Sequence, residues 1–257
     1  MSRRHFRFAC EGAELAGSLD TGEGSTGLLM ITGGNEVRAG AWNGQALLAA
    51  RIAAAGFPVL RFDRRGIGDS DGPPGDFRTS APDIAAALAA FRRECPAVTR
   101  IVAMGNCDGA SALMLASGAG CDGLILSNPW TIDDEDDAPP PEALRGHYAS
   151  RLTDPAAILR LLRGGVSLKG LFRSLIGAVR PAPPPSGLAQ DMAAGLAQFS
   201  GDVRLLIASR DRTAQAFVAA WDKNDPRLRT CAGASHSFVE AEAREWLEAQ
   251  VLEVLRG

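Results

Sequence analysis

The five residues Gly105-Asn106-Cys107-Asp108-Gly109 constrain this chain more than any others. They follow the apolar run Ile101 to Met104 and open a small-residue segment, Ala110 to Ala116. That succession predicts a strand, a tight turn and a helix, with a sulfur nucleophile at the tip of the turn. The glycines have a physical task, because the turn residue is strained and side chains two positions away would collide with strand or helix. A helix start presents free N–H groups and the positive end of the dipole, which favour negative charge on Cys107, while the adjacent Asp108 opposes it. Glycines around a cysteine are a weak signal by themselves, since a buried cysteine is commonly a small core hydrophobe. The position between strand and helix is what makes Cys107 a candidate nucleophile.

The pattern is that of the nucleophile elbow, usually G-x-S-x-G, of the α/β-hydrolases, in which an acid and then a histidine follow the nucleophile along the chain. Val203 to Ala208 reads as a buried parallel strand with Asp211 in the loop beyond it. Arg227 to Cys231 reads as a short late strand followed by Gly233-Ala234-Ser235-His236-Ser237-Phe238. Of the three histidines, His5 falls in the N-terminal strand and His147 in a middle insertion, so His236 occupies the loop a triad requires. For the acid, Asp211 is preferred. The alternative is the crowd Asp133, Asp134, Asp136 and Asp137 after Asn128-Pro129-Trp130, which reads more simply as a solvated linker.

An oxyanion hole also has candidates. Leu28 to Ile31 is an apolar strand, and Thr32-Gly33-Gly34-Asn35-Glu36 leaves it as a glycine-rich loop. One donor is expected to be the N–H of Asp108, after the nucleophile, and the other the N–H of Gly34 or Asn35. Glu36 and Arg38 are expected near the substrate, with Glu36 able to act as a local base on the thiol.

Along the chain, strands alternate with helices. His5–Cys10 and Leu15–Leu19 read as an antiparallel pair, and the Leu28 strand precedes a helix from about Trp42 to Ala55. A strand over Pro58–Asp63 comes next, then a helix from Pro82 to about Glu94, the elbow, a strand over Gly123–Ser127, and a closing helix from Phe238 to Leu255. Apolar strands separated by helices predict an α/β fold: a mostly parallel central sheet covered on both faces, with ligands at the carboxyl ends of the strands. Residues 1–130 and 201–257 form the expected core.

Residues 131–200 are the expected helical cap or lid. This stretch contains the proline clusters 139–141 and 181–185 and helical segments at Glu142–Leu152, Pro155–Arg163 and Leu168–Val179. Positions 141–180 carry a net +5 on a chain of net charge −3, and six of their seven cations are arginine, Arg160 and Arg163 among them. Such a face suits a solvated lid or a surface for an anionic carrier, coenzyme A phosphates or an acyl carrier protein.

Composition excludes several other classes. The 257-residue chain is long enough for one large α/β domain, has no basic tail for nucleic acid, and has no apolar run long enough for a membrane span. The N-terminal residues lead directly into a strand without a signal-peptide core. Cys10, Cys95, Cys107, Cys121 and Cys231 are odd in number and lack metal-type spacing, which suits a reducing cytoplasm and calls for no metal or cofactor.

Four segments together resemble one family. They are Gly105-x-Cys107-Asp108-Gly109-Ala110-Ser111; Leu60-Arg61-Phe62-Asp63-x-Arg65-Gly66-x-Gly68-Asp69-Ser70; Asp211-x-Thr213-Ala214-Gln215-x-Phe217; and the cap segment His147 to Leu175. They resemble the first of the two α/β-hydrolases associated with the exosortase A system, over nearly the whole chain. The resemblance implies Cys107 as nucleophile, Asp211 as acid and His236 as base, in a setting of exopolysaccharide and exosortase functions. It departs in the early loop, where Gly33-Gly34-Asn35-Glu36-Val37-Arg38 replaces Gly-Gly-Pro-Gln-Tyr-Arg. The expected chemistry is hydrolysis of an activated acyl group, a thioester or ester, through an acyl-cysteine. The other readings are a lactonase like dienelactone hydrolase and a non-catalytic binding protein on the same fold.

Overall fold

The alternation Leu28, Leu29, Met30, Ile31 sends successive side chains to opposite faces of a sheet, and all four are buried. A strand buried on both faces needs helices on both, and the computed structural model, which describes residues 2–132 and 187–257, has them. Its strands are β1 (Arg3–Cys10), β2 (Ala13–Asp20), β3 (Thr26–Ile31), β4 (Val59–Phe62), β5 (Arg100–Asn106), β6 (Gly123–Ser127), β7 (Asp202–Ala208) and β8 (Leu228–Cys231). Its helices are α1 (Gly44–Ala54), α2 (Ala81–Glu94), α3 (Asp108–Leu115), α4 (Gly187–Ala197), α5 (Arg212–Ala220) and α6 (Ala241–Arg256).

Among the described residues these strands form one sheet in the order β1-β2-β4-β3-β5-β6-β7-β8. The pairs β1/β2 and β2/β4 are antiparallel, and the other pairs are parallel. Leu48 and Ile52 of α1 and Leu247 and Val251 of α6 cover Leu28, Met30, Val102 and Met104 on one face. Ile84 of α2, Leu113 of α3, Met192 of α4 and Phe217 of α5 cover Leu29, Ile31, Ala103 and Leu126 on the other.

Three boundaries differ from expectation, each for a local reason. Helix α1 begins at Gly44 and not at Trp42, because Trp42 and Asn43 both have left-handed φ, 47° and 65°. Helix α6 begins at Ala241 and not at Phe238. Phe238 has φ 50°, closes a turn by donating its N–H to Ser235 O at 3.0 Å, and stacks on Trp246 from the preceding loop. Helix α4 falls inside the segment assigned to the cap (131–200), yet its Leu188, Met192 and Leu196 are buried in the core, so this helix belongs to the covering layer. The cap helices expected at Glu142–Leu152, Pro155–Arg163 and Leu168–Val179 lie outside the described residues.

Candidate active site

The elbow has the geometry its glycines require. Cys107 stands between β5 and α3 with φ 57° and ψ −126°, a conformation that costs a side-chain-bearing residue on the order of 1–3 kcal/mol. A Cβ on Gly105 would lie 2.5 Å from the carbonyl of Gly109, and one on Gly109 would lie 2.8 Å from Ile31 O. No side chain fits at either position, so strand and helix close onto each other and force the turn that lifts the thiol.

Asp211 and His236 arrive from β7 and β8, so all three side chains leave the carboxyl ends of parallel strands. Asp211 is 8% exposed and is the N-cap of α5. Its Oδ1 accepts from Thr213 N at 3.3 Å, and its Oδ2 accepts from Ala214 N at 3.0 Å and faces His236 Nδ1 at 2.8 Å. One carboxylate therefore starts a helix and holds the imidazole. The His236 imidazole is pushed up to about 10 from its usual 6.5, first by the hydrogen bond to Asp211 and then by the Cys107 thiol, with burial opposing. The far side of the ring faces the elbow: His236 Nε2 stands 3.4 Å from Nδ2 of Asn106, the residue before Cys107. The alternative acids Asp133, Asp134, Asp136 and Asp137 lie outside the described residues.

The sequence matches the alpha/beta hydrolase family over residues 28–250. The chain belongs to that family. Solved structures share its fold at low identity. The esterase Pf2001 of Pyrococcus furiosus is 16% identical with a TM-score of 0.61, over 99% of this chain and 90% of that one. Est1E of Butyrivibrio proteoclasticus, solved with ferulic acid bound, is 16% identical with a TM-score of 0.62, over 98% and 100%. The alpha/beta hydrolase GrgF of Penicillium sp. sh18 is 21% identical with a TM-score of 0.65, over 100% and 98%. A search of curated proteins finds no match.

In this α/β-hydrolase the loop donors expected for an oxyanion hole are arranged unequally. Gly34 donates its N–H to Asp108 Oδ1 at 2.5 Å, so it is engaged, while Asn35 lies exposed beside it. Burial pushes the Asp108 carboxyl above its ordinary value, against the pull of Arg64 and the N–H groups of Gly34 and Gly109. Arg64 is itself buried; it donates to Gly34 O and to Ser80 Oγ, the latter at 2.9 Å, pinning the loop to the elbow. The N–H of Asp108 opens α3, where first-turn N–H groups lack intrahelical partners.

Two further residues expected near the substrate have partners within the fold. Arg38, expected to reach substrate, is tied to the buried Asp63, to Asp69 at 2.8 Å and to Ser18 Oγ at 2.9 Å. Its charge is matched within the fold. Glu36 accepts from Ala41 N at 2.6 Å and Gln45 Nε2 at 3.1 Å, and its carboxylate feels the charges of His236 and Asp108. Arg160 and Arg163 lie outside the described residues.

A residue that motif reasoning passed over ties the three loops together. Asn128, fully buried with φ 45°, donates through Nδ2 to Asn106 Oδ1 (3.2 Å) and His236 O (3.0 Å), and accepts through Oδ1 from Ala208 N at 2.8 Å. It braces the ends of β5 and β7 and the histidine loop at once. Its sequence signal was an asparagine closing a buried strand just before Pro129, since asparagine tolerates left-handed backbone.

Burial favours the protonated form of the other four thiols. Burial pushes Cys10 up to about 11 and Cys121 up to about 12. Among the described residues, no three His, Cys, Asp or Glu side chains are grouped to hold a metal, and no helix is long and apolar enough to cross a membrane.

Proposed function

We propose that this α/β-hydrolase cleaves activated acyl groups, esters or thioesters, through Cys107, His236 and Asp211 and an acyl-cysteine intermediate. One observation carries the reading: a thiol on a strained strand-to-helix turn stands beside a histidine whose proton affinity it raises and whose Nδ1 is held 2.8 Å from a buried carboxylate. The Cys107 sulfur attacks the acyl carbon, its proton residing on His236. The oxyanion is met by the Asp108 N–H and by the N–H of Gly34 or Asn35, Gly34 being freed as the Asp108 carboxylate turns aside. The imidazolium then protonates the departing alcohol or thiol. Water, losing its proton to His236, attacks the thioester; the acid leaves and the thiol is restored. Asp211 keeps the imidazole in the required tautomer throughout. The resemblance to exosortase-A-associated hydrolases sets this chemistry in exopolysaccharide-linked metabolism, and likeness in fold to esterases is in keeping with it.

The test is a panel of p-nitrophenyl esters and acyl thioesters, with His236→Ala used to slow deacylation and mass spectrometry used to find the acyl group on Cys107. Turnover in wild type, its loss in Cys107→Ala and an acyl mass on Cys107 are expected. Full turnover by Cys107→Ala overturns the mechanism. No turnover, together with no alkylation of Cys107 by iodoacetamide, supports a binding protein instead.

The leaving group is proposed to be an anionic carrier met by Arg160 and Arg163. Turnover of an acyl-CoA should then fall as salt rises from about 0.05 to 0.5 M while a neutral short ester is unaffected. Equal salt sensitivity of the two substrates removes the carrier from the proposal.

A further inference from the structure

A cavity of about 350 Å³ lies between α1, α6 and the face of the sheet they cover, at the lower end of the ~300–1,000 Å³ typical of small-molecule sites. Its walls are apolar: Met30, Leu48, Met104, Phe238 and Leu247. At one end its lining holds Asn106 and Ser237, the chain neighbours of Cys107 and His236, and Asn106 Nδ2 stands 3.4 Å from His236 Nε2. The other end is at Ala50 and Arg51, so the cavity follows roughly 10 Å of α1 at 1.5 Å per residue.

Two features mark the catalytic end. Ser127, fully buried and part of the lining, has no hydrogen-bond partner for its Oγ among the described residues. Ser127 pairs in register with Asn106, and its carbonyl accepts the N–H of Cys107 at 2.9 Å, so the unmet hydroxyl lies next to the nucleophile's own strand end. A buried hydroxyl without a partner is costly, and a ligand group that supplies one is correspondingly favoured. Gln45 Oε1, also in the lining, is buried and unpartnered as well. The second feature is Trp42, which reaches from the entry of α1 to the histidine loop and donates Nε1 to Ser237 O at 3.4 Å. Its left-handed backbone and that of Asn43 hold the indole against Gly44, where a Cβ would meet the ring at 2.6 Å. The wall of the cavity beside His236 is thus a fixed aromatic plate.

We propose that this cavity is the acyl site, and that it takes an aliphatic chain of medium length bearing a hydroxyl close to the reacting carbonyl. The chain runs along α1 toward Ala50, and the hydroxyl meets Ser127 Oγ and Gln45 Oε1. This inference rests on the acyl-transfer reading above, so its test includes a readout independent of turnover.

The first arm compares kcat/KM for acetyl, octanoyl and 3-hydroxyoctanoyl p-nitrophenyl esters in wild type, Ala50→Phe and Ser127→Ala. Wild type should prefer octanoyl to acetyl by about tenfold or more, and 3-hydroxyoctanoyl to octanoyl by roughly three- to tenfold. Ala50→Phe should erase the first preference and Ser127→Ala the second. The second arm titrates octanoate and 3-hydroxyoctanoate into Cys107→Ala by calorimetry, with and without Ala50→Phe; the cavity requires binding that Ala50→Phe removes. Ester turnover through Cys107 with no chain-length preference, and no binding in the titration, overturns the cavity while leaving the hydrolase reading intact. Binding without any turnover does the reverse. Ala50 is half-buried at the cavity's far end, so Ala50→Phe fills that end from a helix position with room toward solvent, and its circular dichroism and Tm check that it folds.

Discussion

Asp211 Oδ2 stands 2.8 Å from His236 Nδ1 while the same carboxylate caps α5 through Thr213 and Ala214. The two roles are separable by substitution. Asparagine caps helices about as well as aspartate, but it cannot fix the imidazole tautomer. Asp211→Asn should therefore lower kcat on the order of 10⁴-fold with little change in Tm. Asp211→Ala should lose the same activity and also about 1 kcal/mol of stability with the cap. Kinetics and thermal melts of both variants check this, and near-normal turnover by Asp211→Asn removes Asp211 from the mechanism.

The same contact sets the pH response. The His236 pKa is raised to about 10, chiefly by Asp211. A group raised on folding contributes stability that is fully present below its unfolded value near 6.5 and is lost as pH rises through about 10. With an alkyl ester, whose leaving group needs a proton, kcat/KM should fall on an alkaline limb near pH 10. In Asp211→Asn the limb should move to lower pH, since the largest cause of the rise is gone. A p-nitrophenyl ester needs no such proton and should show a weaker limb. An alkaline limb unmoved in Asp211→Asn contradicts the assignment.

The fold was legible where local sequence and tertiary need agree. Gly105 and Gly109 announced the elbow because the packing tolerates no side chain at either place, and the runs Leu28–Ile31 and Gly123–Ser127 announced strands buried on both faces. The element boundaries were less legible where a loop carries function. Trp42, Asn43 and Phe238 look helical by period, yet all three hold left-handed backbone beside the cavity or the histidine. The ion pairs of Arg38 were not legible, because a cation near a catalytic loop looks like a substrate contact. Its partners Asp63 and Asp69 come from residues 25 and 31 positions away and are set by tertiary packing. Asn128 escaped because its role is to join three chain segments, which no local spacing encodes.

Asn128 offers a test of that joining role. Asn128→Ala leaves the Ala208 N–H and the His236 carbonyl without this partner, and should cost about 2–3 kcal/mol in denaturant melts. Asn128→Asp keeps the acceptor for Ala208 but turns a second oxygen toward Asn106 Oδ1 and His236 O. Its stability should fall, and kcat should fall more than KM rises, because His236 loses its placement and the acyl site does not. A fall confined to KM contradicts a positioning role.

The nucleophile itself is expected to be a point of stored strain. Cys107 holds φ 57° and ψ −126°, which glycine adopts freely and other residues do not. Cys107→Ala and Cys107→Gly both remove the sulfur, so the two variants differ mainly in backbone tolerance. In an ordinary helix or strand the glycine variant is less stable by about 0.5–1 kcal/mol. At the elbow the order should reverse, with Cys107→Gly more stable than Cys107→Ala by about 1 kcal/mol or more, and both should be inactive. Cys107→Ser keeps the strain and should retain little activity, its hydroxyl being less readily ionised than the thiol. Urea melts of the three variants, read beside their ester turnover, decide the matter. A glycine variant less stable than the alanine one shows that the turn stores no strain, and the close approach of Gly105 to Gly109 then needs another cause.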